Sequence, residues 1–132
     1  MFRLPVTIYY EDTDFTGVVY HANYLKYFER AREELLGVDR LARMYRDTGL
    51  GFVVYKVEMT FKEPAVHGDH LEVQTVVRCD SPYRVVFDQN IVRVGGSSLM
   101  VTGVVQMVMV DRAGKLVPLP EDLAAWIRQE GT

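Results

Sequence analysis

One strong helical pattern stands in a chain otherwise written in strands, and it comes early. Over residues 23–36, Tyr24, Tyr27, Phe28, Ala31 and Leu35 recur at helical spacing, Lys26, Arg30, Glu33 and Glu34 fall on the other side, and Gly37 offers a stop. A strand-like run over residues 4–10 precedes it, and a shorter helical piece at 39–46 follows, ending near Gly49 and Gly51. The period then changes to two. Tyr55, Val57, Met59 and Phe61 alternate with Lys56, Glu58, Thr60 and Lys62 until Pro64 breaks the run. Residues 71–78 alternate likewise except at Val76, residues 84–94 make a third strand closed by Gly95 and Gly96, and residues 98–110 a fourth. A short helix is expected at 121–129. Helix and strands segregated in this way argue for an α+β fold, an early helix laid on a long antiparallel meander, and against a parallel α/β sheet.

No repeat, linker or low-complexity stretch divides the 132 residues, so a single domain over 1–132 is expected, long enough to bury a core. A net charge of −3 provides no basic footprint for nucleic acid. No apolar run is long enough for insertion into a membrane, and the first residues lack a signal-peptide pattern. The lone cysteine, Cys79, permits no intrachain disulfide, which fits a reducing compartment, and a cytoplasmic location is expected. The last long strand is apolar on both faces, with Leu99, Val101, Val105, Met107 and Met109 on one and Met100, Val104, Val108 and Val110 on the other. The helix can cover one face, and a second copy is the expected cover for the other.

Chemistry concentrates in residues 10–32, YEDTDFTGVVYHANYLKYFERAR. Asp12 and Asp14 follow the first strand, Gly17 permits a sharp turn, and His21 and Asn23 stand where the helix begins. A carboxylate facing a helix N-terminus suits acyl transfer: it can attack or activate water while unpaired N–H groups stabilise an oxyanion. Asp12 reads as a structural or turn residue, Asn23 as a cap or brace, and Glu29 with Arg32, three apart on a helix, as a salt bridge. Gly17, Val18, Tyr20 and Asn23 are candidate substrate contacts. Lys62, Arg78 and Arg84 are candidates for a phosphate-bearing ligand. His67, Asp69 and His70 read as a polar turn in place of a metal site. No Gly-x-Ser-x-Gly or phosphate-cradling glycine motif is present.

This segment closely resembles the signature of YbgC-like acyl-CoA thioesterases, relatives of 4-hydroxybenzoyl-CoA thioesterase. A second stretch, FKEPAVHGDHLEV at 61–73, resembles the family's strand, Pro-Ala turn and Gly-Asp. The resemblance implies a hotdog fold, a long helix wrapped by an antiparallel sheet. It implies that Asp14, seven residues before His21, is the nucleophile or general base. The His21 backbone N–H would polarise the thioester carbonyl, and its imidazole would assist catalysis or position substrate. It further implies acyl-CoA as substrate and a dimer or dimer of dimers (a homotetramer) with sites at the subunit interface. Neither metal nor cofactor is expected, coenzyme A being part of the substrate. An acyl-acyl-carrier-protein substrate and a non-catalytic acyl-binding or scaffolding role are the alternatives. A hydratase on the same fold would differ in the spacing from acid to helix.

Overall fold

The structure, a computed structural model, describes residues 1–130. In chain order it contains β1 (Phe2–Thr7), α1 (His21–Leu36), α2 (Val38–Thr48), β2 (Gly51–Phe61), β3 (His70–Ser81), β4 (Arg84–Arg93), β5 (Leu99–Val110), β6 (Leu116–Val117) and α3 (Glu121–Glu130). The strands form one antiparallel sheet in the order β1-β3-β4-β5-β2, with β6 paired to β5. The expected α+β arrangement is therefore present, but only β3, β4 and β5 form a meander. β2 crosses to the far edge beside β5, leaving β1 to pair with β3.

Period-two patterning turns one set of residues inward. Leu71, Val73, Thr75 and Val77 of β3, Val85, Phe87, Gln89 and Ile91 of β4, and Val101, Val105 and Met109 of β5 are all buried. Against them α1 sets Tyr24, Tyr27, Phe28, Ala31 and Leu36, and α3 adds Leu123, Ala124 and Ile127 to the same core. Each such apolar side chain contributes about 1.5–3 kcal/mol when fully buried. Gly103 decides how closely α1 can lie. A Cβ there would stand 2.6 Å from the Phe28 ring and 3.0 Å from the Glu58 carbonyl oxygen, so only a glycine lets the ring reach the strand.

Several expectations need correction. α1 starts two residues before 23, because its N-cap is Tyr20, which supplies no side-chain cap and so no sequence cue. Its buried stripe is broader than expected, and it is Leu36 that is buried, with Leu35 only half so. Arg32 lies inside that stripe, 7% exposed. It donates to Gln89 Oε1 at 3.1 Å in place of the expected salt bridge to Glu29. β1 ends at Thr7 and not at residue 10, giving way to a single 3-10 turn at Tyr10–Asp12. β2 is not the half-buried strand its alternation implied. Tyr55, Val57 and Phe61 are exposed, because β2 is a sheet edge with one neighbour and its register slips between Val54 and Lys56. On β5 the two expected faces separate only in part: Val101, Val105 and Met109 are buried and Val104, Val108 and Val110 half-buried, but Met100 of the second face is fully buried, while Leu99 and Met107 of the first are exposed and half-buried.

Candidate active site

The segment between β1 and α1 is held as a compact loop by its own backbone. Asp12 closes the 3-10 turn by accepting from the Tyr9 N–H at 2.8 Å. Its carbonyl then receives both the Tyr20 N–H and Asn23 Nδ2, each at 2.9 Å. Asn23 is thus the brace expected of it, and its amide nitrogen is turned to the loop. The chain turns back at residues 14–18: the Asp14 N–H donates to the Val18 carbonyl at 2.9 Å and the Gly17 N–H to the Asp14 carbonyl at 3.0 Å. Gly17 sits at φ +86°, where a side chain would be strained. The far side of the loop is tied to the turn before β3. Val18 bridges Val66, and the Val19 N–H donates to the Ala65 carbonyl at 2.9 Å. That turn is pinned by Arg93, which reaches Asp69 Oδ2 at 3.1 Å and the Pro64 carbonyl at 3.3 Å.

Asp14 is half-exposed within this frame. Its Oδ1 accepts from the Thr16 hydroxyl at 2.6 Å and the Thr16 N–H at 2.8 Å. These two bonds, the hydroxyl's first, hold its carboxyl below the ordinary carboxylate pKa, and the nearby Val18 backbone and His21 charge push the same way. Asp14 is therefore ionised at neutral pH. His21 opens α1 directly after an N-cap without a side-chain hydrogen bond, so the first turn presents N–H groups with partial positive charge to the loop.

Beside His21 lies a small cleft of about 250 Å³, lined by Val18, Val19, His21, Tyr24, Phe61, Lys62, Glu63 and Pro64. The His21 ring meets Phe61 and Tyr20 edge-on, at 6.0 and 4.8 Å between centroids. Of the residues singled out in the sequence, Val18, His21 and Lys62 meet in this cleft, while Asp14, Gly17 and Tyr20 belong to the loop that borders it and Asn23 braces that loop from α1. Arg78 and Arg84 are elsewhere. Arg78 pairs with Asp88 at 3.1 Å, and Arg84 lies over the Tyr55 ring at 5.0 Å. Arg84 is opposite Val108, seven residues along β5 from the Val101 that pairs with Phe61, or about 23 Å at the usual strand rise. The three residues of the polar turn also separate. His67 stacks on Tyr10 at 4.0 Å, His70 Nδ1 lies 3.3 Å from the Thr7 hydroxyl, and Asp69 pairs with Arg93. Among the described residues no three metal-ligating side chains converge. Among them, too, no helix is long and apolar enough to cross a membrane.

Sequence reasoning missed Thr16, Phe61 and Arg93 as parts of this neighbourhood. Thr16 had a local signal, a hydroxyl two residues after an aspartate. Phe61 and Arg93 arrive through strand pairing and had none.

Residues 9–127 match the family model of the Thioesterase-like superfamily. The chain is 38% identical over 132 residues to the acyl-CoA thioester hydrolase YbgC of Escherichia coli, covering 98% of this chain and 97% of that one. Among solved structures, a probable thioesterase from Bartonella henselae superposes with a TM-score of 0.80 at 35% identity, covering 89% of this chain and 98% of that chain. A 1,4-dihydroxy-2-naphthoyl-CoA thioesterase from Synechocystis superposes with a TM-score of 0.88 at 25% identity, covering 96% and 94%. The shared architecture is the hotdog fold.

Proposed function

This chain belongs to the Thioesterase-like superfamily, and from that premise we propose that it hydrolyses acyl-CoA thioesters with Asp14 as nucleophile or general base. The observation that carries the assignment is a carboxylate fixed by two Thr16 hydrogen bonds, its pKa lowered by them, just before the uncapped first turn of a helix that begins at His21. The thioester carbonyl would lie in the cleft with its oxygen toward the N–H of His21. There the helix N-terminus stabilises the negative charge that develops as the carbonyl carbon is attacked. Asp14 either attacks that carbon, forming a mixed anhydride that water then opens, or takes a proton from the attacking water. In both routes the carbon–sulfur bond breaks and the hydroxyl of water ends on the acyl carbon. A proton ends on the coenzyme A sulfur, and the His21 imidazole would supply it. The scheme calls for no metal. Lys62, on the cleft wall, would meet the coenzyme A arm.

The active unit is a homo-oligomer in this reading. β2 carries exposed Val53, Val54, Tyr55 and Val57 along an unpaired edge, a surface that invites strand pairing with a second copy. Two-fold antiparallel pairing of β2 would set its Gly51 end beside the partner's Phe61 end. Arg84 and Tyr55 of one copy would then approach the cleft of the other, the route by which Arg84 would meet a shared substrate. The test is hydrolysis of short-chain, long-chain and aryl-CoA thioesters by the purified protein, followed by thiol release, with light scattering giving the mass. Release of coenzyme A from none of them, or a fully active 15.2 kDa monomer, would overturn the corresponding part of the reading.

A further inference from the structure

The turn that carries Asp14 is held at both ends from α1. At its far end the Tyr24 hydroxyl accepts from the Ala65 N–H at 3.3 Å, and the Ala65 carbonyl takes the Val19 N–H at 2.9 Å. At its near end stands Asp12. Its carbonyl receives the Tyr20 N–H and Asn23 Nδ2, so the N-cap of α1 hangs on the residue two before Asp14. Asn23 and Tyr27 are four residues apart and share a face of α1. Asn23 meets the Asp12 carbonyl, and the Tyr27 hydroxyl faces the Asp12 carboxylate. Burial first and that carboxylate second push the Tyr27 pKa well above the ordinary phenol value, so the hydroxyl keeps its proton at neutral pH. Tyr27 is 1% exposed and its hydroxyl is enclosed, yet it makes no hydrogen bond of ordinary geometry among the described residues. Asp12 Oδ2 takes the Tyr9 N–H, and a carboxylate has acceptor sites to spare. A buried donor without an acceptor is costly, and here an acceptor stands beside it.

We propose that the Tyr27 hydroxyl donates to the Asp12 carboxylate and so sets the Asp14 turn against the first turn of α1, which makes Tyr27 and Asp12 positioning residues of the hydrolysis. The proposal rests on the thioesterase reading above and adds to it two residues that touch neither substrate nor the reacting atoms. One tie serves both halves of the machinery: Asp14 follows Asp12 by two residues, and the Asp12 carbonyl holds Tyr20, the neighbour of His21. A shift of Asp12 therefore changes the gap between the carboxylate and the His21 N–H, and the rate of a reaction between held groups is sensitive to such a shift. Neither Tyr27 nor Asp12 lines the His21 cleft, so substrate binding is left nearly as it was.

The experiment follows acyl-CoA hydrolysis and amide hydrogen exchange in Tyr27→Phe, Asp12→Ala and the double variant. Tyr27→Phe keeps the buried ring and removes only the hydroxyl. Its kcat should fall about tenfold while KM changes less than about twofold, as expected when reacting groups are misplaced and binding is not. Asp12→Ala should lower kcat further, because it also frees the Tyr9 N–H, and the double variant should be no slower than Asp12→Ala alone. Should Asp12→Ala fail to fold, Asp12→Asn, which keeps an acceptor for Tyr9, takes its place in the cycle. Exchange over residues 13–20 of Tyr27→Phe should quicken about tenfold, as for the loss of a hydrogen bond to a charged group, while β4 exchanges as in the wild type. A Tyr27→Phe kcat within about twofold of wild type would overturn the proposal. So would losses that add in the double variant, a KM that rises as far as kcat falls, or exchange that stays put or quickens in β4 as well. Exchange needs no turnover, so it separates this inference from the function. A wild type that hydrolyses no thioester, with loop exchange that still responds to Tyr27→Phe, sinks the hydrolase and keeps the tie. Hydrolysis with unmoved exchange does the reverse, and the absence of both sinks both.

Discussion

The first turn of α1 and the middle of the same helix handle polar groups in opposite ways. Around Phe28, the helix carbonyl and the Thr75 hydroxyl both receive Gln89 Nε2, and Gln89 Oε1 takes Arg32, all beneath the sheet. Around His21, the helix N-terminus has no capping side chain, and the carboxylate before it is half-exposed and bonded only within its own turn. Buried polar groups must find protein partners or cost stability, whereas groups at a surface can be left for water or substrate. On the proposed assignment, stability and chemistry reside at different points along one helix, and changes at the two should be separable.

The largest effect expected is on the buried side. Phe28→Ala removes a fully buried ring that fills the space over Gly103 and should cost about 3–5 kcal/mol in urea unfolding. A loss below 1 kcal/mol, on the order of a surface change, would break the comparison. Next comes Asp14→Asn, which should lower turnover at least about a hundredfold while leaving the melting temperature nearly unchanged. A folded Asp14→Asn protein with near-normal turnover would remove the carboxylate from the mechanism. Gln89→Ala strands the Phe28 carbonyl, Thr75 and Arg32 at once, and should cost about 1–3 kcal/mol of stability, read in the same urea titration.

His21→Ala keeps the backbone N–H and should lower turnover about tenfold, less than Asp14→Asn, which corresponds to a single group assisting proton transfer. A loss as deep as that of Asp14→Asn in a folded protein would make the imidazole a primary catalyst. The smallest effect expected is a shift in pH dependence. Because Thr16 lowers the Asp14 pKa, activity that needs the ionised carboxylate persists to lower pH than an ordinary aspartate allows, and is lost as pH falls through the lowered value. Thr16→Ala removes the leading cause, so the acid limb of kcat/KM should move to higher pH. A limb that stays in place would detach the Thr16 bonds from the chemistry.

Much of the local design was legible in residue order. The period of 3.6 over residues 23–36, the period of two in the later runs and the glycine at 37 each report a chain's preference for its own backbone path, which needs only near neighbours. The cluster of Asp14, Gly17, His21 and Asn23 was legible for the same reason, since a turn and a helix start lie within a dozen residues. Even there the helix began two residues early, because Tyr20 carries no capping group to announce it.

Tertiary structure decided the rest. Alternation identifies β2 as a strand but says nothing of its neighbour, and its placement at the far edge beside β5 is what leaves Tyr55 and Val57 uncovered. Helical spacing identifies a stripe on α1 but not how wide the sheet beneath it is, and that width carries Arg32 inward to Gln89, 57 residues away. Phe61 and Lys62 join His21, and Arg78 and Arg84 do not, because pairing between distant strands sets which ends coincide. Local periodicity is the property of one segment; register, edges and cavities are properties of pairs of segments, and only the folded sheet supplies them.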